Sequence, residues 1–148
     1  MRNSILFALI NFLFIVIMTS CSTTQKPINL SFSEFTIGSG GGATGLFSGF
    51  TIDSTCKLYQ WNGRKLKDNM SELKTLKADT AILIEDIIIK SNLIDFNFEK
   101  PDNFYRFFQI KTTKKENYIV WGLASDTDNT NNLNEIYDKI MSIINNNK

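Results

Sequence analysis

The stretch Leu30 to Asp53, LSFSEFTIGSGGGATGLFSGFTID, decides the fold because it holds two β-rich segments separated by glycines. In Leu30 to Ile37 the apolar residues change phase partway, which predicts a strand with a bulge near Ser33-Glu34 that stops at the glycines. Leu46 to Asp53 alternates bulky and small residues, as half-buried strands do. We therefore expect the first half of the chain to form an antiparallel sheet.

The sequence that follows continues this pattern and then changes its period. Asn62-Gly63 predicts a tight hairpin between a strand at Lys57 to Trp61 and a short strand at Arg64 to Lys67. Ala78 to Ser91 has the apolar period of a helix, and Asn92 suits its C-terminal cap. The apolar stripe of this helix consists of Ala81, Ile84, Ile87 and Ile88, with Leu83 at one edge, and is widened by Ile82 and Ile89.

The C-terminal part predicts two more strands and a second helix. The strands are Phe104 to Thr112 and Tyr118 to Leu123, joined by a polar turn, and the helix is Asn132 to Ile144. This order predicts an α+β domain in which two helices pack on one face of an antiparallel sheet of about five to six strands. Aromatic residues in the opposite phase form either an exposed binding surface or a covered layer; they are Tyr59, Trp61, Tyr105, Phe107 and Tyr118.

The glycine run contains a formal GxGxxG pattern at Gly40, Gly42 and Gly45. A dinucleotide site needs a helix after the glycines, whereas a strand is expected here. The run is therefore interpreted as a permissive turn or as a loop whose bare backbone lies against a protein partner. The candidate partner-binding residues are Gly41, Gly42, Gly45, Phe47 and Trp61.

Other motifs do not complete a catalytic or metal site. Ser71-Glu72-Leu73-Lys74 matches the Ser-x-x-Lys of penicillin-binding enzymes but lacks the companion motifs. Asp126 to Asn131 begins like a calcium loop and lacks its glycine and its bidentate glutamate. The sequence has no histidine, so Cys56 has no imidazole to activate it, and the adjacent Glu85 and Asp86 diverge on a helix. We expect no enzyme activity, no cofactor and no metal.

The N-terminus has the layout of a secretory signal peptide. Arg2 is the positive region, Ile5 to Met18 is apolar, and Thr19-Ser20 are small residues before Cys21. We expect residues 1–20 to be removed, residues 21–29 to form a tether and residues 30–148 to form one domain. Without Arg2 the chain has equal numbers of basic and acidic residues, so nothing indicates a nucleic-acid partner.

Met18-Thr19-Ser20-Cys21 resembles a bacterial lipobox. The resemblance implies a diacylglyceryl group on the Cys21 sulfur, cleavage before Cys21 and acylation of the new amine, which together hold a protein firmly at a membrane. The residue after Cys21 is Ser22 rather than aspartate, and in this the sequence resembles lipoproteins that are sorted to the outer membrane. The expected location is therefore the bacterial cell envelope, at the periplasmic face of the outer membrane.

Most of the chain after Cys21 looks like a group of small Bacteroidota lipoproteins. The similarity is carried by Phe35-Thr36-Ile37, Gly41 to Gly45, Phe50 to Asp53 and Tyr118 to Gly122. The glycine segment, followed by a helix and a hairpin, is also similar to emfourin, an inhibitor of thermolysin-like proteases. These resemblances imply a lipid-anchored, non-catalytic interaction module with an unknown protein partner; the alternatives are a small-ligand-binding or enzymatic periplasmic domain, or a protease inhibitor.

Overall fold

The computed structural model describes residues 28–124 and 127–147, and the predicted signal peptide, Cys21, most of the tether and Asp126 lie outside them. Within these residues the α+β prediction is confirmed, with seven strands and two helices. In chain order the elements are β1 (Glu34–Gly41), β2 (Leu46–Asp53), β3 (Lys57–Gly63), β4 (Ser71–Thr75), α1 (Ala78–Lys90), β5 (Glu99–Lys100), β6 (Phe104–Lys111), β7 (Glu116–Gly122) and α2 (Asp128–Asn146).

The seven described strands form one sheet in the order β4-β3-β2-β1-β6-β7-β5. Neighbouring strands are antiparallel except β5, which runs parallel to β7. The predictions of five to six strands and of a purely antiparallel sheet were therefore wrong. The sequence pattern missed β5 because its two residues are too few to show a period, and it missed β4 because its residues read as a polar approach to the helix.

The central strand β1 differs most from its prediction. It begins at Glu34 and continues through Gly38 and Gly40 to Gly41, so the glycines do not end it. Its pairing with β2 and β6 is regular throughout, and the expected bulge near Ser33-Glu34 is not there. Leu30 and Phe32 are buried, but they lie in the irregular segment before the strand.

The predicted strand Arg64 to Lys67 was also wrong. Residues 64–70 form a loop in which the Asp68 carboxylate accepts a hydrogen bond from the Arg64 backbone N–H at 3.2 Å. Lys67 and Asn69 have positive φ angles of 61° and 49°, which an extended strand does not allow. The chain therefore returns to the sheet only at β4.

Helix α1 agrees closely with its prediction. Ala81, Ile84, Ile87 and Ile88 are buried. At its C-terminus, Asn92 has a φ of 52°, and the N–H groups of Asn92 and Leu93 donate to the carbonyls of Ile89 and Ile88. This is a Schellman motif with asparagine in the left-handed position, as predicted. Ile82 and Ile89 do not widen the buried stripe, because both are about half exposed.

Helix α2 begins at Asp128 rather than at the predicted Asn132. The side chain of Thr127 accepts a hydrogen bond from the Thr130 N–H, and the Thr130 hydroxyl accepts one from the Thr127 N–H, which completes a capping box. The polar segment that resembles a calcium loop therefore serves, from Thr127 onward, as a helix cap.

The main core lies between both helices and one face of the sheet. It contains Phe35, Ile37, Ile52, Phe108 and Trp121 from the strands. The N-terminal segment enters this core from the Glu34 end of β1, where Ile28 packs against it and the Ser33 N–H donates to the Lys111 carbonyl at 2.8 Å. The turn between β1 and β2 lies at the opposite end of the sheet, roughly 25 Å away for eight residues of strand.

Candidate functional site

The glycine turn between β1 and β2 packs against the chain that leads into β6. Gly41 and Gly42 have φ angles of 99° and 74°, and the Gly42 N–H donates to the Asn103 carbonyl at 2.7 Å. A Cβ atom on Gly41 would lie 2.0 Å from the Asn103 oxygen, and one on Gly42 would lie 2.4 Å from the Phe104 ring. Only glycine fits these two positions, and the backbone of both glycines is already in contact with the segment Asn103-Phe104. Gly45 has no atom within 4 Å of its Cβ position and faces open space.

A row of exposed apolar side chains crosses the sheet beside this turn. Leu46 pairs with Gly41, Gly41 pairs with Phe104, and the Leu123 N–H donates to the Phe104 carbonyl at 2.9 Å. The side chains of Leu46, Phe104 and Leu123 are 50%, 57% and 48% exposed. Because Gly41 has no side chain, the row is interrupted by a gap between Leu46 and Phe104.

This gap opens into a pocket of about 440 Å³, here called the hairpin-end pocket. Its apolar walls include Leu46, Phe104 and Leu123, and none of its lining residues is charged. The lining residues are Ser39, Gly40, Gly41, Thr44, Leu46, Phe47, Ser48, Asn62, Gly63, Phe104, Tyr105 and Leu123. An open apolar pocket with a few hydroxyl and amide groups has the composition of a site for an uncharged ligand group.

The opposite face of the sheet carries a second, smaller cluster, here called the aromatic cluster: Trp61, Phe107 and Val120, with Phe47 and Tyr105 packed against them. Trp61 and Phe107 stack with ring centroids 6.1 Å apart and are 1% and 0% exposed. The sequence left open whether these aromatic residues form an exposed binding surface or a covered layer. Trp61 and Phe107 are covered, whereas Tyr118 is 39% exposed.

Glycines in the strands make room for these rings. A Cβ atom on Gly38 would lie 2.7 Å from the Trp61 ring and 2.9 Å from the Phe107 ring, and one on Gly49 would lie 2.6 Å from Trp61. The Trp61 indole N–H also donates to the Thr51 hydroxyl at 3.1 Å. The strand glycines thus let Trp61 lie flat on the sheet, which explains why they do not end β1.

The loop between β3 and β4 crosses back over this face and is held by an ion pair. Lys67 contacts the Glu34 carboxylate, which Lys111 also approaches at 3.1 Å. Burial acts to raise the pKa of Glu34, but the hydrogen bonds from Lys67 and Lys111 outweigh it and leave this pKa below its usual value. The ionised carboxylate therefore fixes the loop to the central strand β1.

Cys56 is not placed for thiol chemistry. It is buried, has a φ of 63° and lies at the end of the turn after β2. Burial, with smaller effects from Asp53 and Glu85, raises the pKa of the Cys56 thiol. A protonated, inaccessible thiol is a weak nucleophile.

The other candidate groups are engaged locally or exposed. The Glu85 carboxylate accepts a hydrogen bond from the Ser31 N–H, and Asp86 pairs with Lys90 at 2.8 Å. Ser71 is an exposed residue of the edge strand β4. Among the described residues no group of three or more His, Cys, Asp and Glu side chains could hold a metal ion, and no helix is long and apolar enough to cross a membrane.

The structure brings only some of the predicted partner-binding residues together. Gly41 and Phe47 line the hairpin-end pocket, Gly42 supports its Phe104 wall, and Gly45 lies in the same turn, whereas Trp61 is buried in the aromatic cluster. Sequence reasoning did not identify Leu46, Phe104 or Leu123. Leu46 and Phe104 are the first residues of β2 and β6, and Leu123 directly follows β7, so all three lie at one end of the sheet, which alternation in a single strand does not reveal.

Comparison with known proteins found no matching family model and no match among the curated proteins.

Proposed function

We propose that this chain is a lipid-anchored lipoprotein of the bacterial envelope that acts as a non-catalytic interaction module, with the hairpin-end pocket as its docking site for a protein partner. The observation that carries the docking site is the exposed row Leu46, Phe104 and Leu123 around an uncharged pocket. Apolar side chains grouped at one exposed site favour binding over solvation. The lipid anchor is supported by Met18-Thr19-Ser20-Cys21, and Ser22 in place of aspartate supports a location at the periplasmic face of the outer membrane.

The position and rigidity of the pocket support this role. The turn beside it is fixed by the Gly42–Asn103 hydrogen bond and by the contact of Phe104 with Gly42, so little order has to be gained on binding. The pocket lies at the end of β1 opposite to the entry of the N-terminal segment. A chain anchored at Cys21 would therefore present this end away from its attachment point.

Site-specific photocrosslinking in the native envelope tests the docking site. A photoreactive residue at Leu123 is expected to give a discrete adduct with one protein, whereas one at Met70, which is exposed elsewhere, is expected to give none. A Leu46→Asp substitution should abolish the Leu123 adduct. Equal labelling from Leu123 and Met70, or no adduct from either, would contradict the proposal.

The lipid anchor is tested separately. Mass spectrometry of the mature protein is expected to find an acylated Cys21 as its first residue. A Cys21→Ala protein should no longer fractionate with membranes, and a variant that stays membrane-bound would count against the anchor.

Two alternatives share the same site. Ser39, Ser48 and Asn62 supply hydroxyl and amide groups to the pocket, as a small neutral ligand of a binding or enzymatic domain would require. The resemblance to emfourin instead predicts inhibition of a thermolysin-like protease by the Gly41 to Gly45 turn. Thermal stabilisation of the protein by a small molecule would favour the ligand-binding or enzymatic domain. Inhibition of a thermolysin-like protease by the wild type but not by Leu46→Asp would favour the protease inhibitor.

A further inference from the structure

The outer face of α1 differs from that of α2. Ile82, Leu83 and Ile89 of α1 are 45%, 48% and 51% exposed. No large apolar side chain described in α2 is exposed to this degree, and Ser142 lies on its solvent face. The outer face of α1 therefore carries exposed apolar side chains that the described outer face of α2 lacks.

The N-terminal segment enters the domain directly beside this face. The Ser31 N–H donates to the Glu85 carboxylate, and Ile28 packs against the core. Glu85 comes three residues after Ile82 and four residues before Ile89, so the two isoleucines are its neighbours on the helix surface. They flank the point at which the chain reaches α1.

The length of the preceding chain limits how far α1 can lie from an anchor at Cys21. Ile28 comes seven residues after Cys21, and seven residues span at most about 25 Å when fully extended. If Cys21 is anchored, this short connection keeps Ile82 and Ile89 near the lipid surface in any orientation of the domain.

We propose that the Ile82 and Ile89 side of α1 rests on the bilayer to which Cys21 is anchored. The inference rests on the proposed lipid anchor, because two half-exposed isoleucines are too few to hold an untethered domain. Once the chain is anchored, the contact is intramolecular and needs only a small apolar gain to select one orientation.

The charges of α1 define the kind of surface it fits. Asp79 and Asp86 lie on its outer face, and Lys90 is paired with Asp86. This face has no excess of positive charge to attract anionic headgroups. Asp79, Glu85 and Asp86 against Lys90 leave this side of α1 with a net negative charge, so the contact is apolar and anionic lipid should weaken it.

Depth-dependent fluorescence quenching of the full acylated protein tests this orientation. The protein is reconstituted in phosphatidylcholine vesicles that contain a lipid with a quencher near the headgroup, and a fluorophore is attached at Ile89→Cys. The matched control is Ser142→Cys on α2. Because Cys56 is buried, it should not compete for the label.

The label at Ile89→Cys is expected to be quenched severalfold more than the label at Ser142→Cys in phosphatidylcholine vesicles, and adding anionic lipid should reduce this difference rather than increase it. Equal quenching at both positions would overturn the proposal. It would also be overturned if the label at Ile89→Cys were as shielded from solvent in detergent as in vesicles, because this would indicate a second copy or another protein on this face. Mass spectrometry of Cys21 precedes the measurement. An unacylated protein refutes the anchor, whereas an acylated protein without the difference refutes only the orientation.

Discussion

The contact between Gly38 and the aromatic cluster predicts that a single methyl group at this position destabilises the domain. In Gly38→Ala the new Cβ would lie 2.6 Å from the Ser48 carbonyl oxygen, 2.7 Å from Trp61 and 2.9 Å from Phe107. One of these neighbours is backbone, and both rings are fully buried. Overpacking of this kind costs about 1–3 kcal/mol, and the lower entropy of the unfolded alanine chain offsets about 0.5 kcal/mol of it. We expect a net loss of about 1.5 kcal/mol.

Gly40→Ala is the matched control because Gly40 lies on the same face of the same strand. Its Cβ would meet Phe47 at 2.9 Å and the Tyr105 hydroxyl at 3.2 Å, and both side chains are only partly buried and can move. Its expected cost is below about 0.5 kcal/mol, since the same entropic offset applies.

The free energy of unfolding of both variants is measured on residues 22–148 by urea denaturation, monitored by far-UV circular dichroism. A Trp61→Leu background should reduce the cost of Gly38→Ala, because the residue that obstructs the methyl group has become smaller. If Gly38→Ala and Gly40→Ala cost the same, or if Trp61→Leu leaves the cost of Gly38→Ala unchanged, then the strand glycines do not serve to accommodate the indole.

Three further predictions concern the turns, the thiol and the helix cap. Burial acts to raise the pKa of Asp53, but hydrogen bonds from Thr55, Lys57 and Tyr59 lower this pKa below its ordinary value of 3.8. The ionised Asp53 carboxylate therefore stabilises the folded domain above pH 3.8, and this stabilisation is lost as the pH falls through the lower pKa of the folded state. Asp53→Ala should cost about 1–2 kcal/mol at pH 7 by urea denaturation, and a difference from wild type that does not shrink below pH 3.8 would refute this. The Cys56 thiol, whose pKa burial raises, should react with a disulfide reagent far more slowly in the folded domain than in urea, and equal rates would show that it is accessible. Thr127→Ala should destabilise α2 by about 1 kcal/mol in thermal denaturation and the exposed Asn129→Ala much less, whereas equal effects would assign no role to the capping box.

The sequence predicted α1 well because the determinants of this helix are local. Its buried stripe has the helical period, and Asn92 can adopt the left-handed conformation that a helix end requires. The start of α2 was missed although Thr127 and Thr130 also act locally, because a threonine at the third position was not recognised as a capping partner.

The parts that could not be predicted depend on distant residues. The continuation of β1 through Gly38 is set by Trp61 and Phe107, which are far away in sequence. Similarly, β5 is a strand only because β7 lies beside it. Of the residues that line the hairpin-end pocket, the sequence indicated Gly41 and Phe47. It did not indicate Leu46 or Phe104, because they have the alternation of core residues and remain exposed at an end of the sheet that no helix covers.

The position of β1 in the sheet has a consequence for biosynthesis. This central strand is the first to be synthesised, and one of its two neighbours, β6, lies in the second half of the chain. Until β6 is made, one edge of β1 has no partner, and Phe108 and Trp121, which form part of the same core, are not yet present. The complete sheet and its core can therefore form only once nearly the whole chain has been synthesised, and the pairing of β1 with β6 is a long-range contact of the kind that slows folding.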